Sequence, residues 1–147
     1  MAYDYKVDQL TNSDTVPRVM NNSNTDGRVY AKFFSYTVPA GNLAVGKTLE
    51  LVRLRKGERI LEGHFDNTAL STAGGTAGVT VGDGTTATKY KAETSVDGAG
   101  SFKFATTPAE NQGQELSQDT SIVATVATEA WAAAGTVSGY VLYLGGH

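Results

Sequence analysis

The chain has 147 residues, a size that supports one domain with an ordinary buried core. It holds no cysteine and two histidines, His64 and His147, which removes disulfides, thiol chemistry and nearly every zinc or iron–sulfur site. A net charge of −3 argues against general nucleic-acid binding, and no apolar run approaches the ~18 residues of a membrane span.

Residues 1–27 differ in texture from the rest. Fourteen of the first 26 are Asp, Asn, Gln, Ser or Thr, and acids and amides stand where a signal peptide would carry a basic and then an apolar region. The expectation is a protein that stays in the cytoplasm where it is made. The apolar members Tyr3, Tyr5, Val7, Leu10, Val16, Val19 and Met20 share no single period along the segment. Turn formers from Asn21 to Gly27 close it. This composition predicts an extended arm that orders only against a partner, a strap whose apolar residues act as anchors.

From Arg28 onward the chain reads as short β-type runs cut by Gly, Pro, Asn and Asp, giving a second region at residues 28–147. Arg28–Val38 is aromatic and β-branched, and stops at Pro39. Thr48–Leu54 and Glu58–Phe65 flank Arg55-Lys56-Gly57, which predicts a tight hairpin with Gly57 at positive φ. Val79–Val81, Thr86–Glu93, Phe102–Thr106, Thr120–Thr128 and Gly135–Leu144 complete eight strands. In the last, Val137, Val141 and Tyr143 share one face while Tyr140, Leu142 and Leu144 share the other, which predicts a strand between two layers or in a subunit contact. Ala127–Ala134 around Trp131 is too short for a stable helix and reads as a loop or a single helical turn. Eight short strands with regular turn signals predict an all-β, jelly-roll-type sandwich.

Several motifs carry possible chemistry. Gly41–Thr48 satisfies the phosphate-loop pattern G-x-x-x-x-G-K-[ST], but Thr48 opens a β-type run where a helix N-terminus is required. His64 and Asp66 lie on one strand face, as two members of a triad do, yet no serine stands in a nucleophile setting. Glu58 and Glu62 form the kind of carboxylate pair that any chain with 15 acids supplies. Gly82-Asp83-Gly84 offers one carboxylate, too few for calcium, and reads as a turn. No catalytic, cofactor or metal site is therefore expected. The charge layout says more: residues 28–61 sum to +5, residues 1–27 to −2 and residues 62–147 to −6. Arg53, Arg55, Lys56 and Arg59 sit around one turn, a basic surface suited to an acidic partner.

Leu49–Leu61, with its strand, basic-glycine turn and second strand, is followed in order by Val79–Asp83, Lys89-Tyr90, Ile122–Val126 and Val137–Tyr143. In this order of hydrophobic-pattern segments, residues 28–144 resemble the cement (decoration) proteins that bind the outside of tailed-bacteriophage heads built from HK97-type capsid subunits. The resemblance implies a jelly-roll protein of the virion, not an enzyme. It would bind the major capsid protein, stabilise capsomer junctions and associate as a dimer or trimer, with no cofactor. Two other classes stand beside it. One is a receptor- or glycan-binding module of a tail or fibre, for which Trp131 with Tyr140 is the candidate platform; the other is a phosphate-loop nucleotide-binding protein.

Overall fold

In the computed structural model, residues 28–39, 43–72 and 75–145 are described. The arm anchors Tyr3, Tyr5, Leu10, Val16, Val19 and Met20, and the first residues of the Gly41–Thr48 motif, lie outside them. Eight strands follow in chain order: β1 (Val29–Val38), β2 (Thr48–Leu54), β3 (Arg59–Asn67), β4 (Gly78–Gly82), β5 (Lys91–Ser95), β6 (Gly100–Phe104), β7 (Thr120–Ala127) and β8 (Gly135–Leu144). They pair antiparallel into two four-stranded sheets, β1-β8-β3-β6 and β2-β7-β4-β5. The chain switches sheets at every step from β1 to β4 and again from β5 to β8, the order of a jelly roll. The expected all-β sandwich is the fold found.

Alternation along the strands builds the core. Ile60, Phe65, Phe104, Val137 and Val141 point inward from the first sheet. Val52, Leu54, Val79, Val81, Ile122 and Val126 meet them from the second. Trp131, Leu70, Tyr90 and Val96 join the core from connecting segments. Two glycines set the close approach of strands in the first sheet. A Cβ at Gly63 would overlap the Phe104 ring, and one at Gly139 would overlap the backbone carbonyl of His64.

Three readings differ from the expectation. Gly57 does adopt positive φ, 89°, and the Glu58 N–H donates to the Arg55 carbonyl at 3.1 Å, so a tight turn forms. It is not a hairpin, because β2 pairs with β7 and β3 with β8 and β6. The turn is a corner between sheets. Thr86–Glu93 is mostly loop, with β5 starting at Lys91. The Asp83 carboxylate holds that loop by accepting from the Thr85 and Thr86 N–H groups at 3.0 and 2.8 Å and from Lys89 at 3.0 Å. Burial pushes the Asp83 carboxyl up, but the Thr86 N–H, Lys89 and the Thr85 N–H together hold it below its ordinary value. Trp131, the candidate platform residue, is fully buried, and its indole N–H donates to the Gly78 carbonyl at 3.0 Å. A platform of Trp131 with Tyr140 is thereby overturned, since the indole is core.

Candidate interaction surface

The first sheet has an outer face that nothing among the described residues covers. Antiparallel register places Val29 beside Leu144, Ala31 beside Leu142 and Phe33 beside Tyr140 on that face. Phe33 is 78% exposed and Val29 58%. Tyr140 takes the Phe33 ring edge-on at 6.0 Å and stacks on His64 at 5.3 Å from its other side. The result is an apolar and aromatic strip spanning β1, β8 and β3. The two-faced reading of β8 found half of it: Val137 and Val141 are core, and Tyr140, Leu142 and Leu144 form the outer row. The contribution of β1 was missed, although the alternation of Val29, Ala31 and Phe33 against Tyr30, Phe34 and Tyr36 carried the signal.

The corner after β2 carries the basic surface. Lys32 reaches across from β1 to donate to the Arg53 carbonyl, and its ammonium lies 5.3 Å over the Tyr143 ring. Tyr30 stacks on Tyr143 at 5.7 Å. Burial, then the negative charge of Glu58, then Tyr30, push the Tyr143 phenol up. The four candidate cations divide into two kinds. Arg53 binds Glu50 through Nε at 2.5 Å and Nη2 at 3.2 Å, and Ser121 donates to the same carboxylate at 2.7 Å. The Arg53 and Ser121 hydrogen bonds bring the Glu50 carboxyl down to about 2. Arg59 ties the segment between β6 and β7 to β3, donating to the Gly113 carbonyl and to Glu115, both at 2.9 Å. Arg55 and Lys56 are exposed, and among the described residues no acidic side chain pairs with either. These two are aimed at solvent, while Lys32 is turned to the Arg53 carbonyl and the Tyr143 ring.

The remaining motifs are satisfied locally. His64 Nε2 lies 3.0 Å from Asp66 Oδ1, but no serine hydroxyl bonds the other ring nitrogen, so the pair lacks a nucleophile. Glu58 is buried and accepts from the Arg55 N–H at 2.5 Å, while Glu62 faces Lys103 at 3.5 Å, so the two carboxylates do not work on one site. Thr48 begins β2, and no helix terminus stands there to receive a phosphate. A polar cavity of about 150 Å³ beside Tyr90 is bordered by Asp83 and Lys89, which already neutralise each other. Among the described residues, no group of three potential ligands is placed to hold a metal ion.

No protein-family model and no curated protein matches this sequence. Solved structures do. The chain is similar to one in the capsid asymmetric unit of cyanophage Pam1, at 24% identity and a TM-score of 0.70, over 82% of this chain and 87% of that one. A chain in the capsid of Ralstonia phage GP4 matches at 24% identity and a TM-score of 0.70, over 84% and 88%. A third, in the acidic stable capsid structure of Helicobacter pylori bacteriophage KHP30, matches at 16% identity and a TM-score of 0.59, over 82% and 90%. The jelly roll described above is thus a fold shared with chains of three bacteriophage capsids.

Proposed function

We propose that this protein is a structural component of a bacteriophage virion, a cement protein that binds the outer surface of the capsid and stabilises the junctions between capsomers. The observation that carries this reading is the uncovered apolar strip of β1 and β8 on a fold that recurs in three capsids. An apolar strip of this kind on a small domain marks a contact surface. The matched chains support an accessory subunit over a large shell-forming one, because near-equal coverage of both chains makes them close to this one in length.

The mechanism is mass action. A protein that binds the assembled lattice and not the free subunits stabilises the lattice by RT ln(1 + [L]/Kd) per site. The partner is the major capsid protein, met by the apolar strip at the centre and by Arg55 and Lys56 beside it. The arm at residues 1–27 extends the grip as a strap, and the working unit is a dimer or trimer. No enzymatic step is needed. The phosphate-loop and glycan readings lose their footing with Thr48 in a strand and Trp131 in the core.

The test is addition of the purified protein to capsids lacking it. Saturable binding at a fixed ratio to the capsid subunit, with a rise in the temperature at which the capsids release DNA, is the expected result. Failure to co-sediment with capsids at any concentration, or binding to a glycan array instead, overturns the reading.

A further inference from the structure

The sandwich has four edge strands, and three are guarded against pairing with another chain. β5 and β6 are five residues long and carry Lys91, Glu93 and Lys103. β2 is interrupted by a bulge between Glu50 and Val52 and carries Glu50 and Arg53 on its outer side. Short length, charge and bulges are the usual devices that stop an edge from recruiting a strand. β1 has none of them. It runs ten residues in unbroken register with β8, contains no proline, and its single charge, Lys32, is folded inward to the Arg53 carbonyl and Tyr143. Its open side faces a cleft between the sheets, where Lys32, Arg53 and Arg55 stand against one acid, Asp119, beside Leu54 and Ser121.

The same sequence carries a strand pattern outside the described residues. In residues 2–8, Tyr3, Tyr5 and Val7 alternate with Asp4, Lys6 and Asp8, the period of a strand with one apolar face. We infer that residues 2–8 of a second copy of this chain pair along the free edge of β1. Added there, Tyr3, Tyr5 and Val7 continue the outer row of Val29, Ala31 and Phe33. Asp4, Lys6 and Asp8, one net negative charge, then hang over that cleft, where three cations outnumber Asp119. The uncovered apolar strip beside that edge, with Phe33 78% exposed, favours a second copy, which covers the strip as it pairs. A hairpin onto β1 would use the residues just before it, and Asn21–Asp26 has no apolar alternation. The alternating stretch instead sits beyond a tether of 19 residues, 9–27. Fully extended, that tether reaches roughly 65 Å, about twice the length of β1.

The inference deepens the strap reading and is tested without capsids, so a protein that passes this test and ignores capsids overturns the cement reading alone. The chain has no cysteine, which makes introduced pairs unambiguous. Tyr5→Cys protein is mixed with Ala31→Cys protein and treated with a short bis-maleimide. The expected result is a product of twice the chain mass in the mixture, absent from either variant alone and abolished by excess synthetic peptide of residues 1–10. In the mixture, an added Phe33→Asp change in the Ala31→Cys partner should reduce the yield at least several-fold. A link forming only within single chains of the double variant assigns the edge to the chain's own segment. A product from Ala31→Cys alone assigns it to β1 pairing with β1. Either result, or no product at all, overturns the inference.

Discussion

The two outer faces of the sandwich are built from the same kind of strand and have opposite chemistry. On the second sheet the outer row is largely polar: Glu50 binds Arg53 and Ser121, Thr48 and Thr125 pair across β2 and β7, and the apolar Val123 beside Glu50 is buried. On the first sheet the corresponding row is Val29, Ala31 and Phe33 against Leu144, Leu142 and Tyr140. The inner faces are both apolar, aromatic and aliphatic from the first sheet and aliphatic from the second, and meet in a common core. Folding alone explains a polar outer face. It does not explain Phe33 held 78% exposed beside an aromatic neighbour, because that ring gains little from the fold. The difference teaches that stability and recognition are separated by strand parity. Inward residues hold the sandwich together, and outward residues of the first sheet are kept for a partner.

The largest expected effect tests that separation. Phe65 and Phe33 are the same residue type in the same sheet, one wholly buried and one mostly exposed. Phe65→Ala leaves a cavity beneath Phe34 and Phe102 and should cost about 3–5 kcal/mol in denaturant unfolding. Phe33→Asp should cost no more than ~0.5 kcal/mol, as for a surface site. Comparable losses in the two variants would make the outer row structural and break the comparison.

A smaller effect is expected at the corner. Arg55→Glu combined with Lys56→Glu should leave the melting temperature within a few degrees of the parent and weaken capsid attachment. The loss should be greatest at low salt, where exposed charges are least screened. Attachment unchanged at low salt would remove the basic corner from the interface and leave the apolar strip alone.

The smallest effect belongs to the polar face. Glu50 has its carboxyl lowered from 4.5 to about 2 by Arg53 and then Ser121. A depressed value means that the folded state binds the proton less readily than the unfolded chain. Its contribution to stability is therefore full above about 4.5 and is lost as pH falls through about 2. The Glu50→Gln variant should melt slightly below the parent at neutral pH and together with it near pH 2. A gap that persists at low pH would mean that shape, not charge, is what Glu50 supplies.

Much of the fold was legible because strands and turns are local. β2 and β8 fall at the expected residues, and Gly57 takes the positive φ that a tight turn needs. What was not legible is decided at long range. The turn at Arg55–Gly57 has hairpin chemistry, and only the pairing of β2 with β7 and of β3 with β8 makes it a corner. Thr86–Glu93 has strand composition, but the Asp83 carboxylate captures the N–H of Thr86, its first residue, and of Thr85 before it. Trp131 looked available because alanines surround it in sequence, whereas the Gly78 carbonyl waits for its N–H inside the fold. The interaction surface was half visible for a similar reason. Alternation reveals that a strand has two apolar faces, but which face is left open depends on what the opposite sheet covers.

The central claim, that the outer face of the first sheet is the one reserved for a partner, is tested most directly by capsid-binding isotherms of Phe33→Asp and Thr48→Asp. Each variant puts one carboxylate on one outer face at an exposed position. The expected result is at least a tenfold loss of affinity for Phe33→Asp and parental binding for Thr48→Asp, with both proteins folded. Equal affinities, or a loss confined to Thr48→Asp, would contradict it.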